Sequence, residues 1–118
     1  MRRILVLDDE ALIALDLAGV LEDEGFAVCG PYNSVDDALD AIDAHAPDGA
    51  ILDVNLGRQT SSAPVADRLS QSEIPFAFLT GYEQIDEKLE ERFRDRPRLG
   101  KPFDRTKIVA VVNDMLAA

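Results

Sequence analysis

Arg3-Ile4-Leu5-Val6-Leu7-Asp8-Asp9-Glu10 (residues 3–10, RILVLDDE) decides how this chain folds. Four consecutive apolar residues without alternation mark a strand buried on both faces, the pattern of a parallel sheet covered by helices on each side. The run stops abruptly in three acidic residues. Three later runs also end in a side chain suited to ion chemistry: ILD at Asp53, FAFLT at Thr80, and the short RLG segment at Lys101. If these strands lie parallel in one sheet, their carboxyl ends meet along a single edge, where open α/β sheets bind ligands.

Outward from residues 3–10, the pattern alternates strand and helix to the last residue. Leu12, Leu15, Leu17, Val20 and Leu21 recur at helical spacing between Ala11 and Glu24, and Gly25 suits the C′ position that closes a helix. Phe26 to Cys29 reads as a second strand, halted by Gly30-Pro31. Ser34 is placed to cap a second helix, with Asp36 and Asp37 favourable in its first turn and Pro47 beyond its end. Ala50 to Leu52 leads into Asp53 as a third strand, and Pro64 fits the first turn of a helix through Ser70. Pro75 to Leu79 is a fourth strand, Tyr82 to Phe93 a charged fourth helix, Arg98 to Gly100 a fifth strand, and Thr106 to Leu116 an amphipathic closing helix. Five strand-then-helix units predict a doubly wound α/β domain over residues 1–118, with helices on both faces and right-handed crossovers.

Composition narrows the function. At 118 residues and 47% hydrophobic content, the chain can bury one compact core without disulfides. Cys29 is the single cysteine, in the apolar stretch FAVCG, and reads as a buried structural thiol in a cytoplasmic protein. The apolar run after Met1-Arg2-Arg3 is too short for a signal peptide, and no segment approaches membrane-spanning length. Asp and Glu number 23 against 12 Lys and Arg, a net charge of −11 that repels a phosphate backbone, so no nucleic-acid partner is expected. His45, the only histidine, precedes Pro47 at a helix end and is a poor candidate for a metal ligand or phosphohistidine. Tyr32 and Asn33 follow the Gly-Pro pair and read as turn residues. Leu12 and Leu15 could help dock a partner helix.

Carboxylates from Asp8, Asp9 and Asp53 brought within a few ångströms cannot all stay ionised without a cation between them. Mg2+ suits such a set, since it is content with one or two carboxylates, a carbonyl, waters and phosphate oxygens; Mn2+ would serve as well. An aspartate beside that cation is a nucleophile toward phosphorus, giving an acyl phosphate. Lys101 would neutralise charge on phosphoryl oxygens and the Thr80 hydroxyl would donate to one. Each motif alone has an ordinary reading as a cap or turn; four of them on successive strand ends of one sheet do not.

LVLDDE, ILDVNL, FLTGY and GKPF, in that order and across the whole chain, resemble the receiver domain of two-component response regulators. The resemblance implies a flavodoxin-like five-stranded parallel sheet of order 2-1-3-4-5 with five helices, and a signalling protein in place of a turnover enzyme. It implies Asp53 as phospho-acceptor, Asp9 as direct Mg2+ ligand, Asp8 acting largely through water, and Asn55 offering its backbone carbonyl. Thr80 and Lys101 would bind the phosphoryl group and relay its presence to the face of the fourth helix, fifth strand and last helix. Implied partners are a histidine kinase or phosphotransfer protein and a downstream protein target. Receivers usually carry Tyr or Phe three residues before the lysine, where this chain has Arg98. FLTGY resembles instead the FAT GUY subgroup, with Leu79 for alanine, which makes Tyr82 a candidate substitute switch beside Thr80 and Arg98.

Two other readings share this sheet. Haloacid-dehalogenase-like phosphohydrolases would use Asp53 as nucleophile, but they place an acid–base Asp two residues later, where Asn55 cannot transfer the proton. A phosphorylation-independent adaptor would not need Asp9, Asp53, Thr80 and Lys101 together. The expectation is a stand-alone receiver without an output domain, monomeric or weakly dimeric.

Overall fold

The computed structural model describes residues 2–54, 56, 61–80, 93, 95–101 and 103–117. Five strands, β1 (Arg3–Leu7), β2 (Ala27–Tyr32), β3 (Gly49–Asp53), β4 (Phe76–Thr80) and β5 (Arg98–Gly100), form one sheet in the order β2-β1-β3-β4-β5, every pair parallel. Four helices are described: α1 (Ala11–Asp23), α2 (Val35–His45), α3 (Ala63–Gln71) and α4 (Arg105–Ala117). The charged helix expected over Tyr82 to Phe93 lies outside the described residues, apart from Phe93 itself.

Strand alternation builds two cores from one sheet. Ile4, Val6, Ile51, Ala77 and Leu79 turn to one face, where Leu17 and Leu21 of α1 and Ile108, Val112 and Met115 of α4 cover them. Leu5, Leu7, Ala50, Leu52, Phe76 and Phe78 turn to the other, against Ala38, Ala41 and Ile42 of α2 and Val65, Ala66 and Leu69 of α3. This two-sided burial is why residues 4–7 show no polar alternation. Phe93 extends the second core, its ring edge-on to Phe76 at 5.5 Å and tilted to Phe78 at 6.0 Å, while the Arg96 guanidinium covers the Phe76 ring at 4.5 Å.

Helix α1 buries Ala14, Leu17, Ala18 and Leu21. Leu12 and Leu15, part of the apolar pattern in sequence, are 79% and 61% exposed, because the sheet-facing stripe runs through positions 14, 17, 18 and 21. The helix ends in a Schellman motif: Gly25, at φ +90°, donates to the Glu22 carbonyl and Phe26 N–H donates to Leu21 O at 3.0 Å. Ser34 caps α2 as expected, its hydroxyl accepting from Asp37 N–H at 3.2 Å.

Strand β2 departs from the reading that Gly30-Pro31 halts it: it continues through Tyr32. Its pairing slips, with Leu5 opposite Cys29 but Leu7 opposite Tyr32, so β2 spends three steps where β1 spends two. The Gly30–Pro31 peptide is cis. An edge strand tolerates this bulge and a proline because its outer side makes no ladder bonds.

Candidate functional site

The carboxyl ends of β1, β3, β4 and β5 converge as expected. Asp8 follows β1 directly, and its N–H donates to the Tyr32 carbonyl at 2.9 Å, tying it to the end of the bulged β2. The Asp8 carboxylate turns back on the chain: Oδ1 accepts from Glu10 N–H at 2.9 Å. Asp53 is the last residue of β3 and is fully buried, and Asp8 is only 2% exposed. Asp9 and Glu10 stand exposed at the mouth.

Lys101 reaches this cluster from the end of β5. Its backbone N–H donates to the Thr80 carbonyl at 2.8 Å, which holds the ends of β4 and β5 together. Its ammonium donates to Glu10 Oε1 at 2.8 Å and to Asp53 Oδ2 at 3.1 Å, and stands 3.4 Å from Asp8 Oδ2. Thr80, half-buried at the end of β4, therefore shares the edge with Lys101 through the backbone. Arg98 opens β5 and is exposed, opposite Phe78 in register. Asn55 and Tyr82, named from sequence as carbonyl ligand and switch candidate, lie outside the described residues. His45 ends α2, exposed and remote from the cluster; its carbonyl accepts from Arg3 Nη1 at 3.0 Å.

Electrostatics follow from this crowding. Burial and the neighbouring Asp8 charge push the Asp53 carboxyl up to about 8, against the opposing pull of Lys101. Burial works against the Lys101 ammonium, yet its hydrogen bonds to Glu10 and Asp53 and their negative charge hold it up to about 12. One oxygen each from Asp8, Asp9, Glu10 and Asp53 lies within 4.8 Å of the others. A single described ammonium faces these four carboxylates. Asp8 Oδ2 is buried without a well-aligned hydrogen bond among the described residues. Hard oxygen donors, excess negative charge and a buried oxygen whose cation contact is the Lys101 ammonium at 3.4 Å fit a divalent cation such as Mg2+.

Glu10, visible in the sequence as part of the acidic run, is tied to this cluster through Lys101, a partner 91 positions away.

A doubly wound parallel sheet with a carboxylate–lysine cluster at its carboxyl edge defines a flavodoxin-like α/β domain, a fold that binds its ligands at the strand ends. The response regulator receiver domain matches residues 4–113, and the chain belongs to that family. The transcriptional regulatory protein PdtaR of Mycobacterium tuberculosis is 32% identical over 114 residues, covering 94% of this chain and 55% of that protein. The phyllosphere-induced regulator PhyR of Methylorubrum extorquens is 32% identical over 121 residues, covering 96% of this chain and 43% of that protein. The chain spans about half the length of these curated relatives. Among solved structures, SdrG from Sphingomonas melonis Fr1 matches with a TM-score of 0.85 at 38% identity, over 98% of this chain and 97% of that one. No described helix is long and apolar enough to cross a membrane.

Proposed function

We propose that this chain is the phospho-acceptor of a two-component phosphorelay, with Asp53 receiving a phosphoryl group from the histidine of a kinase or phosphotransfer protein. A carboxylate oxygen of Asp53 attacks phosphorus; the O–P bond forms as the N–P bond breaks, and the departing imidazole nitrogen keeps the electron pair. Asp53 must be ionised to attack, so charge balance in the pocket governs its reactivity. Asp8, Asp9 and Asp53, with the Asn55 carbonyl, are assigned to hold Mg2+ or Mn2+, which when bound neutralises charge on the carboxylates and phosphoryl oxygens. Lys101 holds a phosphoryl oxygen by a charge-assisted bond and Thr80 donates to another. The state of Asp53 is then read by a cytoplasmic protein partner through Thr80, with Tyr82 of the FLTGY motif standing in for the aromatic that Arg98 replaces.

The observation that carries this reading is the buried Asp53 at the end of a central strand, with Lys101 Nζ 3.1 Å from its Oδ2. Incubation with acetyl phosphate or beryllofluoride, with and without Mg2+, tests it by intact mass. The expected outcome is a metal-dependent adduct on Asp53, absent in Asp53→Asn, without sustained release of phosphate from generic esters. Absence of any adduct on folded protein would instead leave a phosphorylation-independent adaptor, and steady ester turnover a phosphohydrolase.

A further inference from the structure

Glu10 stands at the N-cap of α1, its backbone carbonyl accepting from Ala14 N–H at 2.9 Å. A side chain at this position ordinarily folds back on the exposed N–H groups of the first turn. Glu10 makes no such cap bond. Its backbone is pinned from the other side by the Asp8 carboxylate, which accepts its N–H at 2.9 Å. The side chain instead crosses the mouth of the pocket to Lys101 Nζ, and at 2.8 Å this is the shortest of the three carboxylate contacts to that ammonium. Lys101 is nearly buried, with a side chain 9% exposed, while Glu10 remains half-exposed. The ammonium is thus held between an inner pair, Asp53 and Asp8, and one outer acceptor.

We infer that Glu10 is a positioning residue: its carboxylate anchors the Lys101 ammonium at the mouth of the pocket, holding one of its donors outward while another is given to Asp53 Oδ2. An ammonium has three N–H donors in a tetrahedral array, and the acceptors around it decide where they point. With Glu10 present, one donor is committed outward, and the remaining two serve Asp53 or incoming phosphoryl oxygens. Without it, the donor now given to Glu10 turns to Asp53 and Asp8 and tightens the inner ion pair that an incoming phosphoryl group must open. Glu10 acts here through Lys101, not on phosphorus.

The kinetic part rests on the phospho-acceptor reading; the positioning part does not. Glu10→Gln keeps an acceptor oxygen at the same reach and removes the charge, whereas Glu10→Ala removes both. Two measurements on the full chain separate the possibilities: the 1H–15N cross peak of the Lys101 ammonium in metal-free protein, and the rate of adduct formation with acetyl phosphate at saturating Mg2+. An ammonium held by Glu10 gives the same cross-peak position in wild type and in Glu10→Gln, and a shifted one in Glu10→Ala, where its donors turn to the inner carboxylates. The rate falls by about tenfold in Glu10→Ala and stays within about twofold in Glu10→Gln, the scale of one charge-assisted hydrogen bond. Equal behaviour of the two variants, whether both unchanged or both impaired, overturns positioning, since it makes Glu10 a spectator or a bare charge. If wild type forms no adduct, the phospho-acceptor reading fails while the cross peak still decides whether Glu10 holds Lys101.

Discussion

At the scale of single residues, the pocket is a competition for charge. Asp53 is fully buried beside a second buried carboxylate, and Lys101 offsets only part of the cost. Because burial and Asp8 raise its affinity for a proton to a pKa of about 8, the folded state binds that proton more tightly than the unfolded chain, where the carboxyl titrates near 3.8. Stability of the metal-free protein is therefore expected to fall as pH rises from about 4 to about 8, and to level off above that. Lys101, held up to about 12, stays charged through the whole window and adds no slope of its own. Urea unfolding in EDTA across this range should show the decline, and Asp53→Asn should flatten it. An unchanged slope in that variant would show that Asp53 is not the titrating group. Asp8, Asp9, Asp53, Thr80 and Lys101 were all legible in sequence as strand-end residues. Which carboxylates sink to zero exposure was not, since Asp8 and Asp9 are identical neighbours until the chain direction and the Tyr32 carbonyl select Asp8.

Elements were legible to the degree that their signals were local. The Ser34 cap, the Gly25 terminus and Pro64 in the first turn of α3 depend on a few adjacent residues and appear where expected. Ser34→Ala removes the bond to Asp37 N–H and is expected to cost about 1 kcal/mol, measured as a lower denaturant midpoint at constant m. Strand β2 runs past the Gly-Pro pair that locally signals a turn, because an edge position permits a bulge that no local rule reveals. Gly30 is the hinge of that bulge: φ is +105°, and a Cβ there would stand 2.7 Å from Tyr32 N and 2.8 Å from its ring. Gly30→Ala is expected to destabilise by about 1–3 kcal/mol. Since the Tyr32 carbonyl receives Asp8 N–H, amide shifts in that variant should spread from Gly30 to Asp8 and Asp9. A perturbation confined to β2 would sink the proposed link between bulge and pocket.

Across the whole molecule, the site exists because five strands run the same way. Order β2-β1-β3-β4-β5 places β1 and β3 side by side, so Asp8 and Asp53 meet although 45 positions separate them in the chain. Crossovers then put α1 and α4 on one face and α2 and α3 on the other. A pocket with four carboxylates and one ammonium should be stabilised as a unit by the cation it is suited to bind. At about 100 times its dissociation constant, Mg2+ is expected to raise unfolding free energy by about 2.7 kcal/mol. Removal with EDTA should reverse the gain, and Asp53→Asn should lose most of it. Thermal unfolding with and without the ion measures both; equal stabilisation of wild type and variant would place the cation elsewhere.

The alternation of apolar runs with helical spacing, and the chemistry-bearing residue at each strand end, came from sequence alone and determined a doubly wound sheet with a carboxylate–lysine edge. These signals are local, carried by the period of burial along a strand or helix. Tertiary structure decided what depends on chain segments meeting. It sank Asp8 and left Asp9 in solvent, carried β2 past its proline, turned Leu12 and Leu15 outward, and set Glu10 against Lys101. Each of those outcomes is a choice between partners far apart in the chain, and distance along the chain hides it from any reading of neighbours.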